Sequence, residues 1–288
     1  MTKSQNLKFD AIENTDAIVG IDIAKNVHWA GIILPNGKEI KKSFSFNNNK
    51  KGFESLVETV KNVLTMLNFK KAIIGMEPTG HYWKSCARYL KKIDWIKVVT
   101  VNPYHVKNSK EFDDNCQTKN DKKDCMTIAR LIKDARFFEP YLPEGIWAEL
   151  RNLSNTRAEL VGKQNAVKNR LIATMDEYFP EYTKVFKKIL SRTSEEILKE
   201  CPFPEDIKSK GKEELLKHIK KTVKRGYSKK QVETIYELAN ESIGTTEGTE
   251  GAKFQLNMYI EEAKLLEKQI KMTEQELERQ LKETGFYE

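Results

Sequence analysis

Two spacings of apolar residues divide the chain. In the first half, short apolar runs at Ala17–Asp22 and Lys71–Met76 read as buried strands. Val27–Leu34 is a further strand, and Pro35-Asn36-Gly37-Lys38 supplies the turn into Glu39–Phe46, where apolar and polar residues alternate. Phe53, Leu56, Val57, Val60 and Leu64 recur at helical spacing within Gly52–Leu67. His81–Lys92 reads as a helix and Trp95–Val101 as a fifth strand, and Pro103 opens a short helix toward Lys110. Glu111–Asn120 is polar and reads as a loop, followed by a helix from Asp121 through Ile128, Leu131 and Ile132.

The order of three strands, helix, strand, helix, strand, helix predicts an α/β domain. It matches a ribonuclease-H-like sheet, an antiparallel meander extended by parallel βα units, and other three-layer folds begin in the same order. Pro140 and Pro143 then break the chain, which sets domains of 1–143 and 144–288. The second domain reads as all-helical. Ile146 to about Tyr178 is one long amphipathic pattern in which Leu153, Leu160 and Val167 stand seven apart. Shorter helices follow, and Gly244, Gly248 and Gly251 read as a flexible link. Phe254–Leu281 is a second long helix, with Ala263, Ile270 and Leu277 again seven apart. The pattern predicts an antiparallel coiled-coil arm carrying a small helical knot, with an ordinary helical bundle as the alternative.

Composition narrows the class without deciding it. The 288 residues are 39% hydrophobic, enough for packed cores, and no run approaches the roughly 20 apolar residues of a membrane span. The first residues lack the apolar stretch of a signal peptide. Cys86, Cys116, Cys125 and Cys201 form no paired motif, which favours a reduced cytosolic setting over a disulfide or zinc framework. The net charge of +8 permits a polyanionic partner.

Candidate chemistry lies in four acids. Asp22 and Glu77 each end an apolar strand, and Asp121 and Asp124 stand three apart at a helix start. Carboxylates so placed can converge, and hard divalent cations take such oxygens. Two cations roughly 3.5–4 Å apart support phosphodiester chemistry. Each acid also has an ordinary structural reading: Asp22 opens a turn, Glu77 sits in a loop, and the aspartate pair stabilises a helix N-terminus.

Gly20-Ile21-Asp22-Ile23-Ala24-Lys25 with His28, Glu77-Pro78-Thr79-Gly80-His81-Tyr82-Trp83, Val101-Asn102-Pro103-Tyr104-His105-Val106-Lys107 and Lys119-Asn120-Asp121-Lys122-Lys123-Asp124 together resemble the motifs of the DEDD-type insertion-sequence transposases. That family includes the Piv-like invertases and the bridge-RNA-guided recombinases. Arg157, Asn165, Asn169-Arg170-Leu171 and Tyr178-Phe179-Pro180 are similar to the helical segment that follows. The resemblance implies a RuvC-like domain that holds Mg²⁺, or Mn²⁺ in its place, through Asp22, Glu77, Asp121 and Asp124 as metal ligands and catalytic residues. It also implies a coiled coil, DNA and a structured guide RNA as partners, a homo-oligomer formed through the coiled coil, and a cytoplasmic, nucleoid-associated location in a bacterium or archaeon. Family members carry a further C-terminal domain with a catalytic serine. This sequence stops at Gly285-Phe286-Tyr287-Glu288, so it reads as a truncated or split member, incomplete by itself for strand exchange. Cys125 stands where the family usually has alanine.

Basic residues supply the candidate nucleic-acid contacts. Lys25 follows the first aspartate. Arg151, Arg157, Lys163, Lys168 and Arg170 face only Glu159 between 151 and 170, a net +4. Ten basic residues between Lys208 and Lys230, among them Lys220, Lys221, Lys224 and Arg225, face only Glu213 and Glu214, a net +8 that equals the excess of the whole chain. Such concentration favours phosphate over a merely solvated face, and the scarcity of aromatics favours backbone contacts to structured RNA or duplex DNA. His28 and His81 read as structural before phosphate contacts, and Tyr82 and Trp83 as core before base-stacking residues. Other functional readings are a stand-alone metal nuclease on the same fold and a non-catalytic nucleic-acid-binding regulator. An actin-like ATPase is a weaker one, since no second glycine-rich phosphate loop follows.

Overall fold

The structure is a computed structural model that describes residues 3–13, 15–113, 121–224 and 226–285; the side chains of 3–6, 13, 110–113, 121 and 122 lie outside that description. The chain divides into two compact units, Met1–Leu142 and Pro143–Glu288.

The first unit is a three-layer α/β domain. Its elements are α1 (Lys3–Glu13), β1 (Ala17–Asp22), β2 (Val27–Ile33), β3 (Glu39–Asn47), α2 (Lys50–Met66), β4 (Ala72–Met76), α3 (Trp83–Leu90), β5 (Ile96–Thr100), α4 (Pro103–Asp113) and α5 (Asp121–Lys133). The sheet order is β3-β2-β1-β4-β5, with β1–β2 and β2–β3 antiparallel and β1–β4 and β4–β5 parallel. Central β1 and β4 are almost wholly buried apolar residues, as strands covered on both faces must be. Edge strand β3 is mostly exposed.

Alternation along each strand sends its side chains to two separate cores. Ala17, Val19 and Ile21 pack with Phe53, Leu56, Cys86 and Leu90 from α2 and α3. Ile18 and Ile73 pack with Ile12, Val106, Ile128, Ala129 and Ile132 from α1, α4 and α5. Helix α1 was not foreseen, because its apolar residues are few and poorly aligned. Ile12, Phe9 and Ala11 nevertheless pack on the α5 side of the sheet.

The second unit is helical: α6 (Ile146–Tyr178), α7 (Tyr182–Val185), α8 (Arg192–Glu200), α9 (Pro204–Lys210), α10 (Lys212–Val223), α11 (Lys229–Glu241) and α12 (Thr249–Glu283). Val167, Leu171 and Met175 of α6 share one core with Leu256, Ile260, Ala263 and Leu266 of α12 and with the short helices. Arg157 pairs with Glu274 and Arg170 with Glu262, so the two long helices run in opposite directions. The seam thins away from the knot, where Leu153, Leu160, Ile270 and Leu277 are half-buried.

The expected flexible glycine link is corrected. Gly251 lies inside α12, and Gly248, with φ of 71°, is the residue that starts it. A Cβ on Gly244 would stand 2.0 Å from the Tyr178 carbonyl oxygen, so that glycine is there for close packing against the end of α6. No helix among the described residues is long and apolar enough to cross a membrane.

Candidate functional site

Strand pairing brings the first two acids together. Ile21 pairs with Met76 across parallel β1 and β4, and each strand's next residue is an acid, Asp22 or Glu77. Neighbouring strands lie roughly 4.8 Å apart. By alternation Asp22 shares the face of Ile18 and Gly20, and Glu77 that of Ile73 and Gly75; α5 covers this face.

Helix α5 comes unusually close there. A Cβ on Gly20 would stand 2.0 Å from the Cys125 carbonyl oxygen and 2.5 Å from the Ala129 amide nitrogen. The helix backbone therefore rests directly on β1, two residues before Asp22. Asp124, beside Cys125, is buried at 8% exposure. Burial pushes the Cys125 thiol up to about 12, and the negative charge of Asp22 and, less strongly, of Asp124 adds to the shift. Both carboxylates thus act on one thiol. Glu77 is half-buried, and its Oε1 accepts a hydrogen bond from the Thr79 hydroxyl at 2.8 Å.

The donors suit a hard cation, and Asp22 and Glu77 share an end and a face of the sheet, with Asp124 on the helix that covers that face. Among the described residues, however, no three His, Cys, Asp or Glu side chains gather closely enough to hold a metal ion. Asp121 begins α5, one turn before Cys125, but its side chain lies outside the described residues.

His28 does not belong to this site. It lies on the opposite face of the sheet, fully buried between Phe46 and Phe53, with ring centroids 5.1 and 6.0 Å away. Its Nδ1 accepts from the Ala24 N–H at 3.1 Å, and its Nε2 has no hydrogen-bond partner among the described residues. Burial lowers its pKa, with the Asn48 side chain acting in the opposite direction. His81 is exposed against Tyr82, and Trp83 packs on the α2–α3 core.

The basic residues separate into paired and unpaired groups. Lys25 is exposed in the bend after β1, and Arg151 is exposed on α6. Arg157 binds Glu274 at 2.7–2.8 Å, Arg170 lies 3.9 Å from Glu262, and Lys168 donates to Gln164. Those two arginines therefore bridge the arm as well as facing solvent. Lys208, Lys210, Lys212, Lys217 and Lys229 pair with Glu205, Glu200, Glu233 and Glu237, Glu214, and Glu233. Several of these acids lie outside the 208–230 window, so the charge counted along the sequence overstates what is free in space. Lys220, Lys221, Lys224 and Lys230 are exposed and have no acid partner among the described residues, and Arg225 lies outside them. On α10 Leu215, Ile219 and Val223 are buried, whereas Lys220 and Lys221 of the same helix are exposed.

The sequence reading missed Thr79, which holds Glu77, and the packing role of Gly20. Only Thr79 had a visible signal, a hydroxyl two residues after the acid.

The first unit is thus a mixed five-stranded α/β domain with carboxylates at adjacent parallel strand ends and a covering helix that carries further aspartates. A family model for DEDD transposases of the IS110 type, described as transposase, matches residues 19–180. The match spans more than half of the chain, which belongs to this transposase family. No curated protein matches it.

Proposed function

We propose that the chain is an RNA-guided DNA recombinase. In this reading residues 1–143 form a ribonuclease-H-like domain that holds Mg²⁺ through Asp22, Glu77, Asp121 and Asp124. Residues 144–288 form a coiled-coil domain that binds guide RNA and DNA and joins copies of the chain. The observation that carries the reading is the placement of Asp22 and Glu77 at neighbouring strand ends beneath the helix that begins at Asp121 and carries Asp124. The sheet order, with its meander β3-β2-β1 and parallel β4 and β5, supports the fold assignment.

Bound there, Mg²⁺ would supply Lewis-acid stabilisation of the charge on a reacting phosphodiester. The chain's own residues set up that chemistry. Asp22 and Glu77 offer hard oxygen ligands from a rigid sheet. Thr79 fixes one oxygen of Glu77. Gly20 permits the approach of α5 that sets Asp124 over the strand ends. The unpaired Lys220, Lys221 and Lys224 and the neighbouring Arg225 offer a surface for RNA phosphates.

The test is Asp22→Asn, assayed with RNA and DNA from the element's ends. In a complex that also supplies the family's C-terminal serine domain, wild type should show Mg²⁺-dependent strand cleavage and joining, and by itself it should gain thermal stability from Mg²⁺. The variant should lose both and keep its affinity for RNA. Activity that persists in the variant, or Mg²⁺ stabilisation equal to wild type, refutes the assignment. Cleavage without joining would favour a stand-alone nuclease on the same fold.

A further inference from the structure

The helical unit contains a cleft of about 610 Å³ where α8 begins. Its polar lining is Lys187, Lys188, Ser191, Arg192, Thr193 and Gln231, and no carboxylate among the described residues lines it. We propose that this cleft is a phosphate-binding site that seats a stretch of nucleic-acid backbone; the choice of a polynucleotide over a free anion rests on the recombinase reading above.

Charge is the first support. Lys187, Lys188 and Arg192 are exposed and have no ion pair among the described residues. Their neighbours in the same unit behave differently: Lys199 and Lys264 share Glu195, Lys210 holds Glu200, and Lys253 holds Asp206. Three cations kept apart from acids in a unit rich in ion pairs make a pronounced local positive field.

The wall of the cleft adds directed donors. Ser191 precedes α8 and makes no side-chain capping bond, so the first-turn N–H groups of this nine-residue helix are left uncapped by it. Thr193 is 5% exposed, lines the cleft, and has a hydroxyl with no hydrogen-bond partner among the described residues. Other helical threonines, Thr156, Thr174 and Thr222, donate back to a carbonyl one turn earlier.

The site is rigid. Ser194 donates to the Ile189 carbonyl at 2.6 Å and shares a hydrogen bond with the buried Tyr182 hydroxyl at 2.9 Å, which locks the start of α8. Gln231 Nε2 reaches the Val185 carbonyl at 3.4 Å and ties α11 to the opposite wall. Gly226 also lines the cleft, so the segment that leaves Lys224 leads directly to it. Cationic side chains, helix N–H groups and a hydroxyl are the donors that recognise phosphate oxygens, and the cleft is roomier than one inorganic phosphate requires.

The test uses the full chain, a labelled RNA hairpin and a labelled DNA duplex, titrated across a range of salt. The triple variant Lys187→Gln/Lys188→Gln/Arg192→Gln should bind at least about tenfold more weakly, with a salt slope lower by roughly 2–3, if each cation neutralises one phosphate. The charge-keeping variant Lys187→Arg/Lys188→Arg/Arg192→Lys should restore the slope. Thr193→Val should weaken binding severalfold without changing the slope, a split that a loss of fold would not produce. If the triple variant melts early, Lys188→Gln alone should still lower the slope by roughly 0.9. An effect confined to one polymer assigns the cleft to RNA or to DNA. Equal affinity and equal slope in wild type and triple variant overturns the proposal and leaves the metal site untouched. Thermal stabilisation by inorganic phosphate that neither polymer competes away also overturns it. Activity that persists in Asp22→Asn, with the cleft effect intact, would overturn the catalytic reading instead.

Discussion

Gly20→Ala is the sharpest perturbation of the architecture. The added Cβ would stand 2.0 Å from the Cys125 carbonyl oxygen, 2.5 Å from the Ala129 nitrogen and 3.0 Å from the Ala129 Cβ. Two of those atoms are helix backbone and cannot rotate away, so α5 must retreat by roughly 1.4 Å to restore ordinary contact. A gap of about 0.5–1 Å already forfeits a quarter to a half of each dispersion contact, and Ile128, Ala129 and Ile132 all pack from α5 into that core. Overpacking costs about 1–3 kcal/mol and occasionally more; with a rigid neighbour we expect about 3 kcal/mol or more. Gly31→Ala meets the Met126 sulfur at 2.2 Å and the Cys125 sulfur at 3.4 Å, and Gly75→Ala meets Ile132 Cδ1 at 2.4 Å and Val99 Cγ2 at 2.8 Å. None is backbone, and the ends of Met126 and Ile132 can yield although the β-branched Val99 is stiffer, so each should cost less than Gly20→Ala, about 1–2 kcal/mol. Urea denaturation followed by circular dichroism, with all three variants side by side, reads the ranking. The first unit should lose roughly 6–12 °C of melting temperature in Gly20→Ala, and Mg²⁺ should stabilise it less, because Asp124 moves with the helix. A Gly20→Ala variant as stable as Gly31→Ala would refute the close-approach argument.

Tyr182→Phe removes a buried hydroxyl bonded to the Ser194 carbonyl at 3.0 Å and to its hydroxyl at 2.9 Å, and chemical denaturation should show a loss of about 1–2 kcal/mol. His28 has a pKa depressed below its ordinary 6.5 by burial, so the unfolded chain takes up this proton first. Its contribution leaves stability unchanged above pH 6.5 and lowers it as pH falls from there toward the folded value, at up to about 1.4 kcal/mol per pH unit; stability curves of His28→Phe should lack that segment. A double-mutant cycle on Arg157 and Glu274 should return only about 0–1 kcal/mol, because both side chains are half exposed. Alanine at Lys220, Lys221 and Lys224 should flatten the salt dependence of RNA binding by roughly 2–3, whereas alanine at the glutamate-paired Lys208, Lys210 and Lys212 should change it less.

Local pattern carried far where one local rule sufficed. Central β1 and β4 were legible because buried strands are continuous apolar runs, the exposed edge β3 because its apolar and polar residues alternate, and β1 at Ala17–Asp22 needed no adjustment. Helix α6 ran over the expected Ile146–Tyr178 because its heptads are long and a proline follows closely at Pro180. Reading failed where two distant segments share a role. Gly244 looked like a hinge because flexibility is the usual use of glycine, but its function is contact with Tyr178, 66 residues earlier in the chain. The tract from Lys208 to Lys230 looked like one continuous basic face, but Glu200, Glu205, Glu233 and Glu237 fold onto part of it.

By itself, the sequence determined the acids, their places at strand ends and a helix start, and the strand order that allows them to meet. These follow from nearest-neighbour chemistry: apolar periodicity, turn residues and the charge of each side chain. Tertiary structure alone decided which face each acid occupies relative to α5, that His28 belongs to the opposite core, and which lysines remain unpaired. It also assembled Lys187, Lys188, Arg192 and Thr193 into one cleft with Gln231 of another helix. The physical reason is that side-chain direction and charge neutralisation depend on what lies across the sheet or across the bundle. Those partners are set by the packing of segments tens of residues apart, which no local window contains.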